Sequence, residues 1–333
     1  MATILVTGSA GFIGFYVSNA LLARGHRVIG VDNFNPYYDP ALKRERAVIL
    51  NDEHGFVQEE VDIADRSSVQ RVFQEYRPEL VFHSAAQAGV RYSLINPHIY
   101  QQSNLAGFLN VIEEARRLPV QRFVYASSSS VYGGNTKMPF AEDDPVDTPI
   151  SLYAATKRAN ELLAYTYTHL SGLQTIGLRF FTVYGPWGRP DMAYWSFLEN
   201  ILSGTPIRVF NHGKNRRDFT YIDDIVTGVL ASLTSDRLDS YEIINLGNNM
   251  PEGLMDFIGI LEDLSGRKSI KEMVSAQPGD VVATYADVAR AKEKLGFAPS
   301  TSLRDGLERF VTWYYEHAEL TKSVSDFRAS QAY

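Results

Sequence analysis

The sequence predicts an α/β protein, a Rossmann-type doubly wound parallel sheet with a smaller C-terminal α/β lobe, and three observations predict it. Short apolar runs alternate with amphipathic stretches through the first half of the chain. A glycine triplet, Gly8-x-x-Gly11-x-x-Gly14, joins the first apolar run to the first amphipathic stretch. An acid, Asp32, ends the second apolar run 18 residues beyond Gly14.

Residues 3–6, 27–31, 55–59, 80–82, 123–126 and 175–178 read as buried strands, because their apolar runs lack the alternation of a strand with one wet face. Between them, residues 13–24, 67–75, 104–116 and 153–170 show helical spacing. Strands that alternate with helices call for right-handed crossovers and a sheet covered on both sides. After Phe181 the pattern loosens into loops, a helix near 193–203 and a strand at 207–210. Residues 223–233 and 242–246 return to the sheet as helix and strand, while 254–265, 286–295 and 303–316 are expected as helices of the lobe. The expected division is residues 1–182 with about 222–250 in the sheet domain, 183–221 and 251–322 in the lobe, and 323–333 as a loose tail. Ligands of open α/β sheets bind at the carboxyl ends of the strands, so the cleft between sheet and lobe is the expected site.

Composition narrows the function. With 45% hydrophobic and 21% charged residues the 333-residue chain is ordinary for a soluble globular enzyme. A net charge of −7 argues against nucleic acid as the main partner. The absence of cysteine excludes disulfides, thiolate metal sites and thiol catalysis, and fits a cytoplasmic protein. The first apolar run is strand-length and lacks a basic flank, so no signal peptide is expected, and no apolar run reaches membrane-spanning length. The seven histidines form no His-x-x-x-His pair or acid-rich cluster, so no metal site is expected.

The glycine triplet follows a strand and opens a helix, where backbone amides and helix dipole can receive a pyrophosphate. Asp32 stands where it accepts hydrogen bonds from the adenine ribose and repels a 2′-phosphate, which favours NAD over NADP. Asp62, after the third strand, is placed to hold the adenine amino group or to cap the next helix.

Tyr153-Ala-Ala-Thr-Lys157 sets a phenol and an ammonium on one helix face, an arrangement that favours the ionised phenol. The run Ser127–Ser128–Ser129–Ser130 offers hydroxyls to a substrate, although one or two of them are expected to serve as turn caps. With the glycine turn, these residues read as hydride chemistry.

Here the motifs carry a resemblance. The turn from Thr7 to Gly14, Ala85-Ala86 after the fourth strand, the serine run before Val131-Tyr132-Gly133, and Tyr153-x-x-x-Lys157 resemble the extended short-chain dehydrogenase/reductase family over essentially the whole chain. Within it the sequence is most similar to bacterial UDP-glucuronate 4-epimerases. The resemblance implies that Tyr153 takes the proton from the sugar C4 hydroxyl. It implies that Lys157 binds the nicotinamide ribose and lowers the phenol pKa, and that Ser128, 25 positions before Tyr153, bonds the same oxygen. The implied NAD site comprises Gly8, Gly11, Phe12, Ile13, Gly14, Asp32, Asn33, Asp62, Ile63, Ala85 and Ala86 with Tyr153 and Lys157.

Related 4,6-dehydratases have an Asp-Glu pair before Val-Tyr-Gly, and decarboxylating UDP-xylose synthases have a glutamate at the position of Ser130. This chain has Ser129-Ser130 there. Without those carboxylates, the simplest path after oxidation returns the hydride to the opposite face of a 4-keto sugar, giving the C4 epimer. Ser127, Ser129, Ser130 and Thr182 are candidates to hold a C6 carboxylate away from the alignment that decarboxylates a β-keto acid. Arg189, in Gly185-Pro-Trp-Gly-Arg-Pro-Asp-Met192, and Arg217 are candidates for the diphosphate. Val209 and Phe210 belong to the segment that reads uracil in the family. Asp280, in Gln277-Pro-Gly-Asp280, falls in a segment where neutral-sugar epimerases carry an arginine matching Gln277. Arg91 is either a further cation of the cleft or the partner of a local acid.

The implied ligands are NAD and a UDP-uronate, and residues 104–116 and 153–170 are candidate helices of a homodimer interface. The alternatives are a UDP-hexose or UDP-N-acetylhexosamine 4-epimerase and, from another class, a non-catalytic NAD-sensing module, which needs neither the tyrosine-lysine pair nor the serine.

Overall fold

A computed structural model describes residues 1–275 and 283–330. In chain order it runs β1 (Thr3–Thr7), α1 (Phe12–Leu22), β2 (Arg27–Asp32), α2 (Pro40–Asn51), β3 (Phe56–Glu60), α3 (Arg66–Tyr76), β4 (Leu80–His83), α4 (Tyr92–Ile95) and α5 (Pro97–Tyr100). A π-helical turn over Gln101–Gly107 leads into α6 (Phe108–Arg117), followed by β5 (Arg122–Ser128), a 3-10 turn over Ser129–Tyr132, α7 (Leu152–Ser171), β6 (Gln174–Phe180) and β7 (Thr182–Tyr184). The remainder is α8 (Ala193–Ser203), β8 (Ile207–Val209), β9 (Arg216–Tyr221), α9 (Ile222–Thr234), β10 (Tyr241–Leu246), β11 (Pro251–Gly253), α10 (Leu254–Ser265), β12 (Lys271–Met273), β13 (Ala283–Thr284), α11 (Ala289–Leu295), α12 (Leu303–Glu316) and α13 (Ala318–Ser330).

Seven parallel strands form the main sheet in the order β10-β6-β5-β4-β1-β2-β3. The order reverses between β1 and β4, which opens the crevice at their carboxyl ends. Both faces are covered, as the unalternated strands require. On one face Ile4, Val6, Val28 and Phe82 pack with α1 and α9, and this core runs on without a break into the lobe through Trp195, Phe257 and Phe310. On the other, Leu5, Ile29, Val81 and Phe123 meet α3 and α6.

The predicted strands and the return of α9 and β10 to the sheet are present. Strands β7, β9, β11, β12 and β13 and the short helices α4 and α5 were not expected, the helix expected from residue 286 begins at Ala289, and α2 and the C-terminal segment differ as well. Helix α2 escaped the periodicity because its buried face is Leu42, Lys43, Arg46, Ala47 and Leu50. Two cations break the apolar stripe, and Asp39, which accepts a hydrogen bond from the Ala41 amide ahead of Pro40, marks the start instead. Residues 323–330 of the expected loose tail are instead the second half of α13, and residues 331–333 lie outside the described residues. Val324 is buried there, the Ser323 hydroxyl donates to Asp39 at 2.9 Å, and Arg328 pairs with Glu199.

The elements behind the strand ends are joined by a buried ion pair. Glu161 of α7 is fully buried and accepts from Arg179 of β6 at 2.8 and 3.0 Å, from Ser127 of β5 at 2.7 Å and from Arg158 at 3.1 Å. Removing one partner leaves a buried charge without compensation. Glu161→Ala is therefore expected to lower the unfolding free energy by about 3 kcal/mol, read by urea titration, and Glu161→Ala/Arg179→Met by clearly less than the sum of the two single changes.

Candidate active site

The glycine turn has the shape of an anion cradle. Gly8 holds φ +72°, and its amide donates to Val31 at 2.6 Å. A Cβ on Gly14 would lie 2.0 Å from the Gly8 carbonyl oxygen, so no side chain fits there. Gly11 caps α1 with no side-chain hydrogen bond, and the first turn carries no acid, so its amides are free to meet an anion. A dinucleotide's pyrophosphate fits this cradle by shape and by charge. Phe12 and Ile13 open α1, and Ala85 lies against Gly8, its amide donating to Thr7 Oγ1 at 3.2 Å with Ala86 following.

Asp32 ends β2, nearly buried, accepting from the Phe34 amide at 2.8 Å with Lys43 Nζ at 4.0 Å. Asn33 donates to Asp62 Oδ2 at 3.1 Å, while Asp62 Oδ1 accepts from Ala64 N at 2.8 Å, and Ile63 is buried in the core beside α6. Asp62 thus caps its own turn and also meets Asn33 across the ends of β2 and β3.

Tyr153 and Lys157 occupy the first two turns of α7, whose cap Ser151 accepts from Ala154 N. Lys157 Nζ donates to the Ala126 carbonyl at 2.8 Å and lies 6.0 Å from the Tyr153 ring centroid. Burial lowers the ammonium pKa to about 8. Burial also raises the Tyr153 phenol above its ordinary value, against a hydrogen bond with Ser128 and the positive charge of Arg189. Contrary to the expectation from spacing, the net shift of the phenol is therefore upward. Its desolvation is the larger effect, and the lysine is turned to a carbonyl of β5.

Ser128 Oγ accepts from Ser130 N at 3.2 Å and donates to Ser130 Oγ at 3.1 Å, and Ser129 and Ser130 are half-buried in the 3-10 turn beside it. Ser127 departs from the substrate-binding expectation. Its hydroxyl points away from the cleft into the Glu161 carboxylate, because successive residues of a strand face opposite sides.

Thr182 starts β7 beside Phe219, half-buried. Arg189 pairs with Asp191 at 2.5 Å, lies 6.0 Å from the Tyr37 ring, and sits near enough to Tyr153 for its charge to act on the phenol. Arg91 stacks on Phe210 at 5.4 Å, which joins two separately predicted residues across the cleft. The carbonyl of Val209 is committed to Val274 N at 3.0 Å. Arg217, on β9, donates to its neighbour's carbonyl at 2.9 Å and is half-buried. Asp280 and Gln277 lie outside the described residues. Among the described residues no group of three His, Asp or Glu comes together as a metal site.

Several site residues had escaped sequence reading. Tyr100 is buried and meets Tyr153 edge-on at 6.3 Å, and Tyr92 and Tyr37 continue this aromatic wall. Asp218, wholly buried, accepts from the amides of Asn248, Asn249 and Ala286 and so ties β9 to two further segments of the chain. Their neighbours in the chain are themselves largely polar, so no local pattern marks them, and the same holds for Arg46, which follows Lys43-Arg44-Glu45.

Comparison with known proteins gives a consistent result. A family model described as the NAD dependent epimerase/dehydratase family matches residues 4–247. UDP-glucuronate 4-epimerase 4 of Arabidopsis thaliana is 48% identical over 331 residues, covering 95% of this chain and 76% of its own. The crystal structure of UDP-glucuronic acid 4-epimerase from Bacillus cereus in complex with UDP-glucuronic acid and NAD superposes with a TM-score of 0.88 at 33% identity, over 94% of this chain and 99% of that one. UDP-glucose 4-epimerase from Thermotoga maritima, with UDP-glucose, gives 0.86 at 30% identity, over 95% and 99%.

The linkage of Lys157 has a measurable sign. Its folded pKa lies below its unfolded value, so burial destabilises the fold fully below pH 8, and the cost is relieved as pH rises towards 10.5. Between pH 7 and 9.5, wild type is expected to gain roughly 2 kcal/mol relative to Lys157→Met in urea unfolding.

Proposed function

The chain belongs to the NAD dependent epimerase/dehydratase family, and we propose that within it the protein interconverts UDP-glucuronate and UDP-galacturonate by inverting C4 of the sugar, without loss of the C6 carboxylate. The observation that carries this reading is the meeting of Ser128, Tyr153 and Lys157 at the strand ends, with hydroxyls rather than carboxylates at positions 129 and 130.

Bound NAD supplies the hydride acceptor and donor at the sugar C4. Gly8, Gly11 and Gly14 with the first amides of α1 hold its pyrophosphate, Asp32 its adenine ribose, and Asn33 with Asp62 the adenine edge. Tyr153 takes the proton of the C4 hydroxyl while Ser128 bonds the same oxygen, and Tyr153 returns the proton after the ring has turned over. Lys157 secures the nicotinamide ribose. Ser129, Ser130 and Thr182 bond the C6 carboxylate and keep its breaking bond out of line with the C4 carbonyl. Arg189 and Arg217 meet the diphosphate, and Val209, Phe210 and Arg91 frame the uracil. This assigns NAD to residues 1–182 with about 222–250, and the nucleotide sugar to the lobe.

The exposed apolar side chains Leu109 on α6 and Leu162 and Tyr165 on α7 support a homodimer paired through these two helices. Among the described residues no helix is long and apolar enough to cross a membrane, and cytoplasmic nucleotide sugars suit the reading.

Purified protein with UDP-glucuronate and no added cofactor is expected to yield UDP-galacturonate. Release of carbon dioxide or the absence of that product would overturn the reaction. Tyr153→Phe is expected to reduce kcat by at least 100-fold with NAD still bound. Light scattering is expected to give about twice 37.3 kDa, and Leu162→Glu/Tyr165→Glu about 37.3 kDa.

A further inference from the structure

Arg46 is an anomaly in the core. Its side chain is completely buried, yet among the described residues it forms no ion pair. Burying a guanidinium without a carboxylate is costly unless other groups take up the charge. Here the partners are oxygens from three segments. Nη1 donates to the Ala10 carbonyl at 2.8 Å and to Tyr38 Oη at 2.9 Å. Nη2 donates to the carbonyls of Trp187 at 2.5 Å and Gly188 at 3.1 Å.

Ala10 lies inside the glycine turn, directly before the amide of Gly11. Trp187 and Gly188 lie directly before Arg189. One rigid fork therefore braces the cradle for one diphosphate against the loop offered to another. Tyr16 repeats the connection, its hydroxyl donating to the Pro186 carbonyl at 3.1 Å, and Phe15 packs on Trp187 at 5.9 Å.

We propose that Arg46 is a positioning residue serving both ligands of the reaction read above. Its fork holds the Ala10 turn and the Trp187–Gly188 backbone in register, and its charge, unmatched by a carboxylate among the described residues, favours the diphosphate anion at each end. The arrangement makes the two sites depend on one side chain, so a defect there moves both together. Lysine cannot replace it, because a point donor does not reach two loops in fixed geometry.

The test uses the holoenzyme. For Arg46→Gln, UDP titrated calorimetrically is expected to bind at least tenfold more weakly, and bound dinucleotide to be lost on gel filtration where wild type retains it. The KM for UDP-glucuronate at saturating NAD is expected to rise by the same factor. Weaker UDP binding with dinucleotide retention unchanged, or the reverse, would overturn the shared role. Arg46→Lys is expected to behave like Arg46→Gln, and restoration of wild-type binding by lysine would overturn the fork. If neither variant folds, hydrogen exchange on wild type decides. UDP is expected to slow amide exchange at 8–14 as well as at 185–190, and protection confined to 185–190 would overturn the proposal. The UDP titration, the dinucleotide retention and the hydrogen exchange are independent of turnover, so an enzyme that binds UDP in this manner but fails to epimerise UDP-glucuronate would sink the functional reading and leave the inference standing.

Discussion

Glu161 has both carboxylate oxygens out of reach of water, and three elements converge on it. Arg179 approaches from β6, Ser127 from β5, and Glu161 itself belongs to α7. Tyr153 and Lys157 lie on the same helix, and Ser128 is the residue after Ser127. The relative placement of hydroxyl, phenol and ammonium thus depends on one desolvated ion pair eight residues along α7 from the tyrosine. Ion pairs of this kind contribute little net stability against an apolar replacement. Their use here is geometric, since a slip of α7 against β5 leaves a charge bare.

The same burial acts on both members of the tyrosine-lysine pair, in opposite directions. It disfavours the phenolate and it disfavours the ammonium, so the dry setting by itself works against the base. What opposes it is local: the Ser128 hydroxyl and the charge of Arg189. Arg189 in turn owes its place to a loop fixed from below by Arg46 and from the side by Asp191, itself bonded to Tyr37. The chemistry of one phenol is in this way tied to a cation in the substrate loop, 36 residues along the chain.

Local patterns carried the sheet and its ligand turn. The strands read directly because residues buried on both faces leave an unbroken apolar run, as in Ile4-Leu5-Val6. Gly8 and Gly14 read directly because a Cβ on Gly8, at φ +72°, would lie 2.9 Å from the Ala85 amide nitrogen, and one on Gly14 would lie 2.0 Å from the Gly8 carbonyl oxygen. Tyr153 and Lys157 read directly because four residues make one helical turn. Helix α2 did not read, since Lys43 and Arg46 occupy its inner face and deny it a stripe. The helix over Ser323–Ser330 did not read either, since its anchors are polar contacts to Asp39 and Glu199, residues far off in sequence.

The serine run shows where the boundary falls. Four hydroxyls in a row declare a strand end rich in donors, and the absence of a carboxylate at positions 129 and 130 narrows the chemistry. Their division of labour was not written there. Ser127 turns inward to Glu161 and Ser128 outward to Tyr153, because a strand alternates its faces and only the packed sheet says which face holds the helix. The sequence by itself determined the fold class, the dinucleotide turn and the tyrosine-lysine pair, all of which rest on contacts within a few residues. Tertiary structure alone decided the fates of Ser127, Arg46 and Asp218, because a buried polar group takes its role from the partners that satisfy it, and those partners come from distant parts of the chain.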